Sequence, residues 1–415
     1  MFNALTWLFL AALLAVTAAR IWLAQRQIRH VRAHREAVPG TFAETIPLGA
    51  HQKAADYTVA KARFGMVEWL VDAVVLLALT LAGGLQLLSE AWARAFASGS
   101  IAHGTALLLS VFFVQALVGL PFSLYRVFEL EQRFGFNRMT LKLYLTDLAK
   151  QVAIGLALGV PLLLAVLWLM ERMGSRWWLY VWIVLTLFSI VFQLIFPAFI
   201  LPLFNKLTPI TEGELAARVS ALLERCGFRS RGLFIMDGSK RSSHGNAFFA
   251  GFGATKRIVL FDTLVSRLDP PEVEAVLAHE LGHYKLRHVV KMIVLSAAVT
   301  LAGLWVLGQI IDEPWFYSGL GVATPGTAAA LALFMLVVPE FTFFLHPLMS
   351  LYSRRREFEA DEYAVSHTDS SRLERALVKL YRDNAATLTP DPLHSAFYDS
   401  HPPAAIRIAR LRGAT

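Results

Sequence analysis

Seven stretches of this chain, at about 3–24, 68–90, 105–125, 151–170, 177–201, 289–311 and 327–350, are apolar for about 20 residues each. That is the length a helix needs to cross the roughly 30 Å hydrocarbon layer of a bilayer. Backbone polar groups in lipid must be satisfied within the segment, so runs of this length predict helices that span it. Composition agrees. The 415 residues are 56% hydrophobic and only 17% charged, with a mean hydropathy of +0.51. A soluble protein of that size carries more charge on its surface. A disordered chain, a collagen-like fibre and a disulfide-built domain are excluded. Cys226 is the only cysteine, which rules out an intrachain disulfide and a thiolate metal cluster.

The net charge of +8 reads better as basic loops than as a nucleic-acid surface, and no nucleic-acid partner is expected. Arg26, Arg29, Arg32, Arg35, Lys53, Lys61 and Arg63 follow the first span; Arg126, Arg133, Arg138, Lys142 and Lys150 follow the third. The intervening connections hold Arg94 or Arg172 and Arg176, and 312–326 holds no positive residue. The positive-inside rule places the two basic loops in the cytoplasm. Arg20 and Arg26 come after the first apolar run, which predicts a retained helix with an exported N-terminus. With seven spans, the segment 202–288 and the C-terminus then lie on the cytoplasmic side.

Segment 202–288 is a polar insertion. Pro197 and Pro202 end the fifth span. An amphipathic helix is expected at about 211–226, strand-like pieces at 231–236 and 256–261, and another helix from Asp269-Pro270-Pro271-Glu272, with proline in its first turn. After the seventh span, 351–415 reads as a polar helical tail.

Chemistry concentrates in His279-Glu280-Leu281-Gly282-His283. Histidines at i and i+4 share a helix face, so both imidazoles reach one zinc ion. Glu280 is placed as general base for a metal-activated water. Zinc needs a third protein ligand. The place six residues beyond His283 is Val289, and Leu286 stands where a metzincin has glycine, so that class fails. His288 would lie roughly 140° around a continuous helix from His283 and is expected at the interface or in solvent. A downstream carboxylate is the better third ligand. In Glu357-Phe358-Glu359-Ala360-Asp361, Glu357 and Asp361 share a face at i, i+4, while Glu359 points elsewhere. Glu357 reads as ligand, with Asp361 bonding a ligand histidine or the substrate.

Beyond the metal motif, several segments resemble the type I CAAX prenyl protease family, integral membrane zinc endopeptidases of the gluzincin type. They are Glu131–Asn137, Pro202–Pro209, Gly238–Phe249, Lys256–Leu264, and Ser400-His401-Pro402-Pro403 with Arg407. The resemblance implies a mainly α, polytopic fold: seven transmembrane helices around a large water-filled chamber, with a cytoplasmic zincin-like domain containing a small sheet. It implies a division into 1–204, carrying five spans, and 205–415, a metallopeptidase domain with two more. It supports His279, His283 and Glu357 as ligands of one zinc per chain, Glu280 as base and Asp361 as a site acid. A substrate would add as a strand along Asn246-Ala247-Phe248. His401, helped by Arg407, would donate to the oxyanion; the Ser400–Pro402 segment equally suits a helix start, and Asn246 a turn after Gly245.

The expected activity is zinc-dependent cleavage of CAAX-type C-terminal peptides, prenylated or not. General membrane-protein quality control without prenyl specificity is the alternative, and a transporter or a dead scaffold ranks below both. The partners are then a peptide or membrane-protein substrate and the lipid bilayer; oligomeric state is not legible. The Ala-, Leu- and Arg-rich composition points to a bacterial inner membrane, and the family's place in a eukaryote would be the ER membrane. The tail Arg412-Gly413-Ala414-Thr415 carries no ER retrieval signal.

Overall fold

The computed structural model describes residues 3–228, 230, 232–250 and 257–413. Arg231 and Lys256, at the starts of the two expected strands, and the terminal Ala414-Thr415 lie outside the described residues.

The apolar runs form helices α1 (Ala4–Ala33), α2 (Leu48–Leu79), α3 (Gly84–Ala93), α4 (Ile101–Tyr125), α5 (Leu141–Arg172) and α6 (Trp177–Ile195). Among the described residues, six helical stretches are long and apolar enough to span a membrane, and α2 with α3 makes a seventh if that pair, bent by 50°, is one span. The bend corrects the reading of 68–90 as one helix. Gly83 adopts φ +81° at the break, a conformation open to glycine at little cost, and α2 extends some 20 residues further toward the N-terminus than its apolar run. Exposed apolar side chains such as Val74, Phe113, Leu187 and Val294 supply the lipid-facing surface that the span assignment requires.

The polar insertion follows through α7 (Leu201–Phe204), β1 (Leu207–Ile210), α8 (Glu214–Arg225), β2 (Leu233–Met236), β3 (Ala247–Ala250), β4 (Arg257–Phe261) and α9 (Asp262–Val265). The strands form one sheet in the order β1-β2-β4-β3. β2 and β4 are parallel, with Leu233 opposite Ile258; β3 is antiparallel to β4, with Ala247 opposite Leu260. β3 is therefore an edge strand, and it lies against α10 (Pro270–Lys285). The chain continues through α11 (His288–Ile310), α12 (Pro314–Gly319), α13 (Thr327–Thr342), α14 (His346–His367), α15 (Ser370–Asp383), α16 (Pro392–Tyr398) and α17 (Ala404–Gly413). Only a 3-10 turn, Phe343–Leu345, separates α13 from α14. The seventh span thus runs on into the helix that carries Glu357, and no break at residue 351 starts a separate tail.

The two ends of the molecule differ in kind. At one end, Asn3 donates to the Trp315 carbonyl at 2.8 Å and Gln86 to Thr324 at 3.2 Å, tying the N-terminus and α3 to the α12 region. At the other, the loop after α4 docks on the sheet domain. Asn137 bridges to Ser242, Phe136 stacks on His244 with ring centroids 4.3 Å apart, and Arg241 grips Asp147 at 2.7 and 3.0 Å. Between the ends, α4, α5, α11 and α13 wall a cavity of about 1370 Å³ lined almost wholly by aliphatic and aromatic side chains, among them Phe112, Leu156, Leu163 and Phe341.

Candidate metal centre

α10 is set by its own first turn. Asp269 caps it, its backbone N–H donating to Glu272 at 3.0 Å in a reciprocal capping box, with Pro270 at the first helical position. Glu272 is itself buried and held by Lys379 at 2.7 Å. One turn before the metal motif, buried Glu274 meets Arg225 at 2.7 Å, Arg218 at 3.3 Å and Arg372 at 3.8 Å. α10 is thus pinned between α8 and α15 by paired charges, and its fourth side is the crossing with α14.

Gly282 makes that crossing possible. A Cβ built there would stand 3.0 Å from the Ala360 Cα and 3.1 Å from its carbonyl oxygen. Any larger residue would push the two helices apart, and the close approach is what brings Glu357 beneath the two imidazoles. Nε2 of His279 and Nε2 of His283 lie 3.2 Å apart. Glu357 Oε2 is 3.5 Å from the first and its Oε1 3.3 Å from the second. Donor atoms of all three residues fall within 4.8 Å of one another.

This donor set fits zinc. Ligands bound tetrahedrally at about 2.0–2.2 Å stand about 3.3–3.6 Å from each other, close to the three separations observed. Two imidazole lone pairs facing at 3.2 Å repel unless a proton or a cation lies between them. Glu357 Oε2 is buried and accepts no hydrogen bond, so that acceptor is left for a cation.

Around the three donors stands a second layer of contacts. His279 Nδ1 is 2.8 Å from Asp361 Oδ1. Burial disfavours a charged His279 ring, but the carboxylates of Asp361 and Glu357 beside it outweigh burial and raise the imidazole to about 9. Asp361 is gripped by buried Arg407, from Nε at 2.9 Å and Nη2 at 2.6 Å, and Arg407 Nη1 comes within 3.7 Å of Glu357. Arg407 thus sits behind the carboxylates. His401, exposed, places Nε2 3.4 Å from Glu357 Oε2. Glu280 lines a cavity of about 550 Å³ together with His283 and Glu357. Burial pushes its carboxyl above the ordinary range, toward what a base working near neutral pH requires.

His288 departs from expectation. It is buried, with Nδ1 3.0 Å from His283 Nδ1 and Nε2 3.0 Å from Glu359. The helix does not continue through it: Arg287 takes φ +56°, α10 ends, and α11 starts at His288 in a new direction. A left-handed arginine has no sequence signature, so the angle counted on a continuous helix was the wrong one. Nothing in the sequence signals the Glu274 arginine cluster, since its partners come from two other helices, α8 and α15.

Ala247 and Phe248 lie on β3, and Asn246 immediately precedes it. Asn246 Oδ1 accepts from the Ala247 N–H at 2.8 Å and its carbonyl accepts from Phe261 N at 3.0 Å. Phe248 packs edge-on against Phe261, centroids 6.2 Å apart. Among the described residues, the edge of β3 away from β4 carries no strand.

Comparisons with known proteins agree with this architecture. Residues 27–206 match the model of the CAAX prenyl protease N-terminal domain, with five membrane helices, and residues 209–415 that of peptidase family M48. CAAX prenyl protease 1 of Saccharomyces cerevisiae is 37% identical over 314 residues, covering 72% of this chain and 69% of the yeast protein. The Arabidopsis thaliana homologue is 32% identical, covering 91% and 90%. The crystal structure of S. mikatae Ste24p superposes with a TM-score of 0.88 at 31% identity, over 99% of both chains.

Proposed function

This chain belongs to peptidase family M48, of the branch that carries the CAAX prenyl protease N-terminal domain, and from that premise we propose how its residues cut a peptide. It is a multi-pass membrane metalloendopeptidase acting on CAAX-type substrates. The observation that carries the reading is the convergence of His279, His283 and Glu357 within 4.8 Å, with Glu280 in the adjoining cavity.

In this reading His279, His283 and Glu357 hold one zinc ion per chain. When bound, zinc supplies a Lewis acid that acidifies a water and polarises the scissile carbonyl. Glu280 takes the proton of the attacking water and delivers it to the leaving amine. Asp361 orients His279, and Arg407 orients Asp361 while keeping two buried carboxylates compensated. His401 stands at the rim, where a ring N–H can donate to the carbonyl oxygen as it gains charge. The free edge of β3 at Asn246-Ala247-Phe248 pairs with the extended substrate backbone. The domain division at 204/205 separates this machinery from the five helices that embed it.

Orientation follows from charge and packing together. The basic loop after α4 docks on the sheet domain through Asn137 and Phe136, so the metal centre and the positive loops share one side. The positive-inside rule makes that side cytoplasmic, in the plasma membrane of a bacterium or the ER membrane of a eukaryote.

The test is a paired kinetic assay on one CAAX peptide with and without a farnesyl group. Cleavage after the modified cysteine is expected in both, with the lipid chiefly lowering KM, because strand pairing reads no side chains. Failure on the farnesylated peptide, with brisk cleavage of unmodified membrane peptides, would replace CAAX processing with quality-control proteolysis.

A further inference from the structure

The three consecutive arginines before Glu357 meet different fates. Arg354 donates to the Ser395 hydroxyl at 3.0 Å and to the Asp399 carbonyl at 3.2 Å. Arg355 is exposed and lies 3.4 Å from Glu359. Arg356 lines the 550 Å³ cavity that also contains Glu280, His283 and Glu357. Its Nε and Nη1 are buried and have no hydrogen-bond partner among the described residues. Its Cζ stands 3.9 Å from the Tyr352 ring centroid, which fixes the guanidinium plane but takes none of its N–H donors. The acid nearest along the helix, Glu359, is engaged with His288 at 3.0 Å and with Arg355. Arg356 is half-buried and makes no ion pair with an acid among the described residues, and a cation partly withdrawn from water gains from an anionic partner.

Resting on the proteolytic reading above, we infer that Arg356 binds the free C-terminal carboxylate of the peptide substrate. The partner must lie beside the reacting bond, since the cavity is walled by the metal-site residues themselves. Three residues beyond a scissile bond reach about 10 Å when extended. Arg356 and Glu357 line the same cavity, so the guanidinium and the reacting bond share one space. The remaining wall, from Leu185, Met292 and Ile293, suits aliphatic side chains between the cut and the terminus. A guanidinium takes a carboxylate through charge-assisted N–H donors, which a cation on the cavity wall can offer. The subsite would select chain ends over internal peptide bonds.

The experiment measures binding apart from cleavage. Zinc-loaded full-length Glu280→Gln protein is titrated with one fluorescent farnesylated peptide ending either in a free carboxylate or in a carboxamide. The acid is expected to bind about 10- to 100-fold more tightly. In Glu280→Gln/Arg356→Gln the two Kd values should fall within about twofold of each other, and Arg356→Lys should restore part of the preference. Circular dichroism and zinc content establish that each variant is folded; if the glutamine variant is not, the lysine variant carries the comparison. Equal binding of acid and amide to Glu280→Gln, or a preference that survives the loss of Arg356, overturns the inference. So does an Arg356→Gln defect that is the same for both peptides and present only in phosphatidylglycerol vesicles, which would make Arg356 a lipid-headgroup site. If wild-type enzyme cuts neither peptide while Glu280→Gln keeps its preference for the acid, the proteolytic reading fails and the carboxylate site stands.

Discussion

His279 meets Asp361 directly at 2.8 Å, whereas His283 reaches Glu359 only through His288, with 3.0 Å on either side. Both routes end in a carboxylate, and both fix which ring nitrogen is free to face a metal. The longer route predicts that His288→Ala weakens zinc binding about 10- to 100-fold, while His288→Asn, whose amide oxygen can still accept from His283 Nδ1, recovers part of it. Competition with a chelator of known affinity measures this. Equal affinities for the two variants would make His288 a packing residue. At this scale the sequence was most legible where chemistry and helix period coincide: His279, Glu280, His283, Glu357 and Asp361 all project from two helices toward one place. His288 is buried, against the sequence expectation, because nothing in Leu286-Arg287 marks the break that redirects it. Arg354, Arg355 and Arg356 are alike in the sequence, and only the fold places Arg356 on the cavity wall.

α10 and α14 cross so closely that the tolerance is one methyl group. A Cβ on Gly282 would stand 3.0 Å from Tyr363 Cβ as well as from Ala360 Cα. Backbone and a buried alanine cannot yield as a flexible side-chain tip would. Gly282→Ala is therefore expected to cost about 1–3 kcal/mol as an overpacked core and to lower zinc occupancy by moving Glu357 off the imidazoles. Thermal unfolding of the metal-free protein and zinc analysis separate the two effects, and unchanged values in both would show that the crossing has slack. Element existence was readable from apolar runs and from the Asp269-Pro270 start signal, and α8, β2 and β4 fall where their patterns place them. The α2–α3 bend and the unbroken passage from α13 into α14 were not. The first turns on a glycine inside an otherwise apolar run; the second extends a helix past the end of its apolar pattern into a charged segment that tertiary packing keeps helical.

The whole molecule has two unlike poles: one where α1, α3 and α12 meet, and one where the basic loops, the sheet and the metal centre meet. If the second is cytoplasmic, single cysteines at exposed Lys240 and Arg375 in a Cys226→Ser background should resist an impermeant thiol reagent in intact cells, and one at exposed Ser318 should react. The opposite pattern would invert the orientation. Positive-inside counting predicts an orientation, yet it does not show that the docked loop and the sheet form one body, because those contacts join residues about a hundred positions apart. Nor does hydropathy reveal the 1370 Å³ cavity, which depends on how far apart the helices stand.

The central claim is that His279, His283 and Glu357 hold zinc while Glu280 moves the proton. Its most direct test is a single-turnover measurement of peptide cleavage by purified Glu280→Gln beside wild type, with zinc determined on the same samples. About one zinc per chain should remain in both, since no donor atom is removed, and the cleavage rate of the variant should fall at least about 10²-fold. A variant that keeps its zinc and cuts at the wild-type rate would show that the proton goes elsewhere and that this arrangement of residues has been assigned the wrong chemistry.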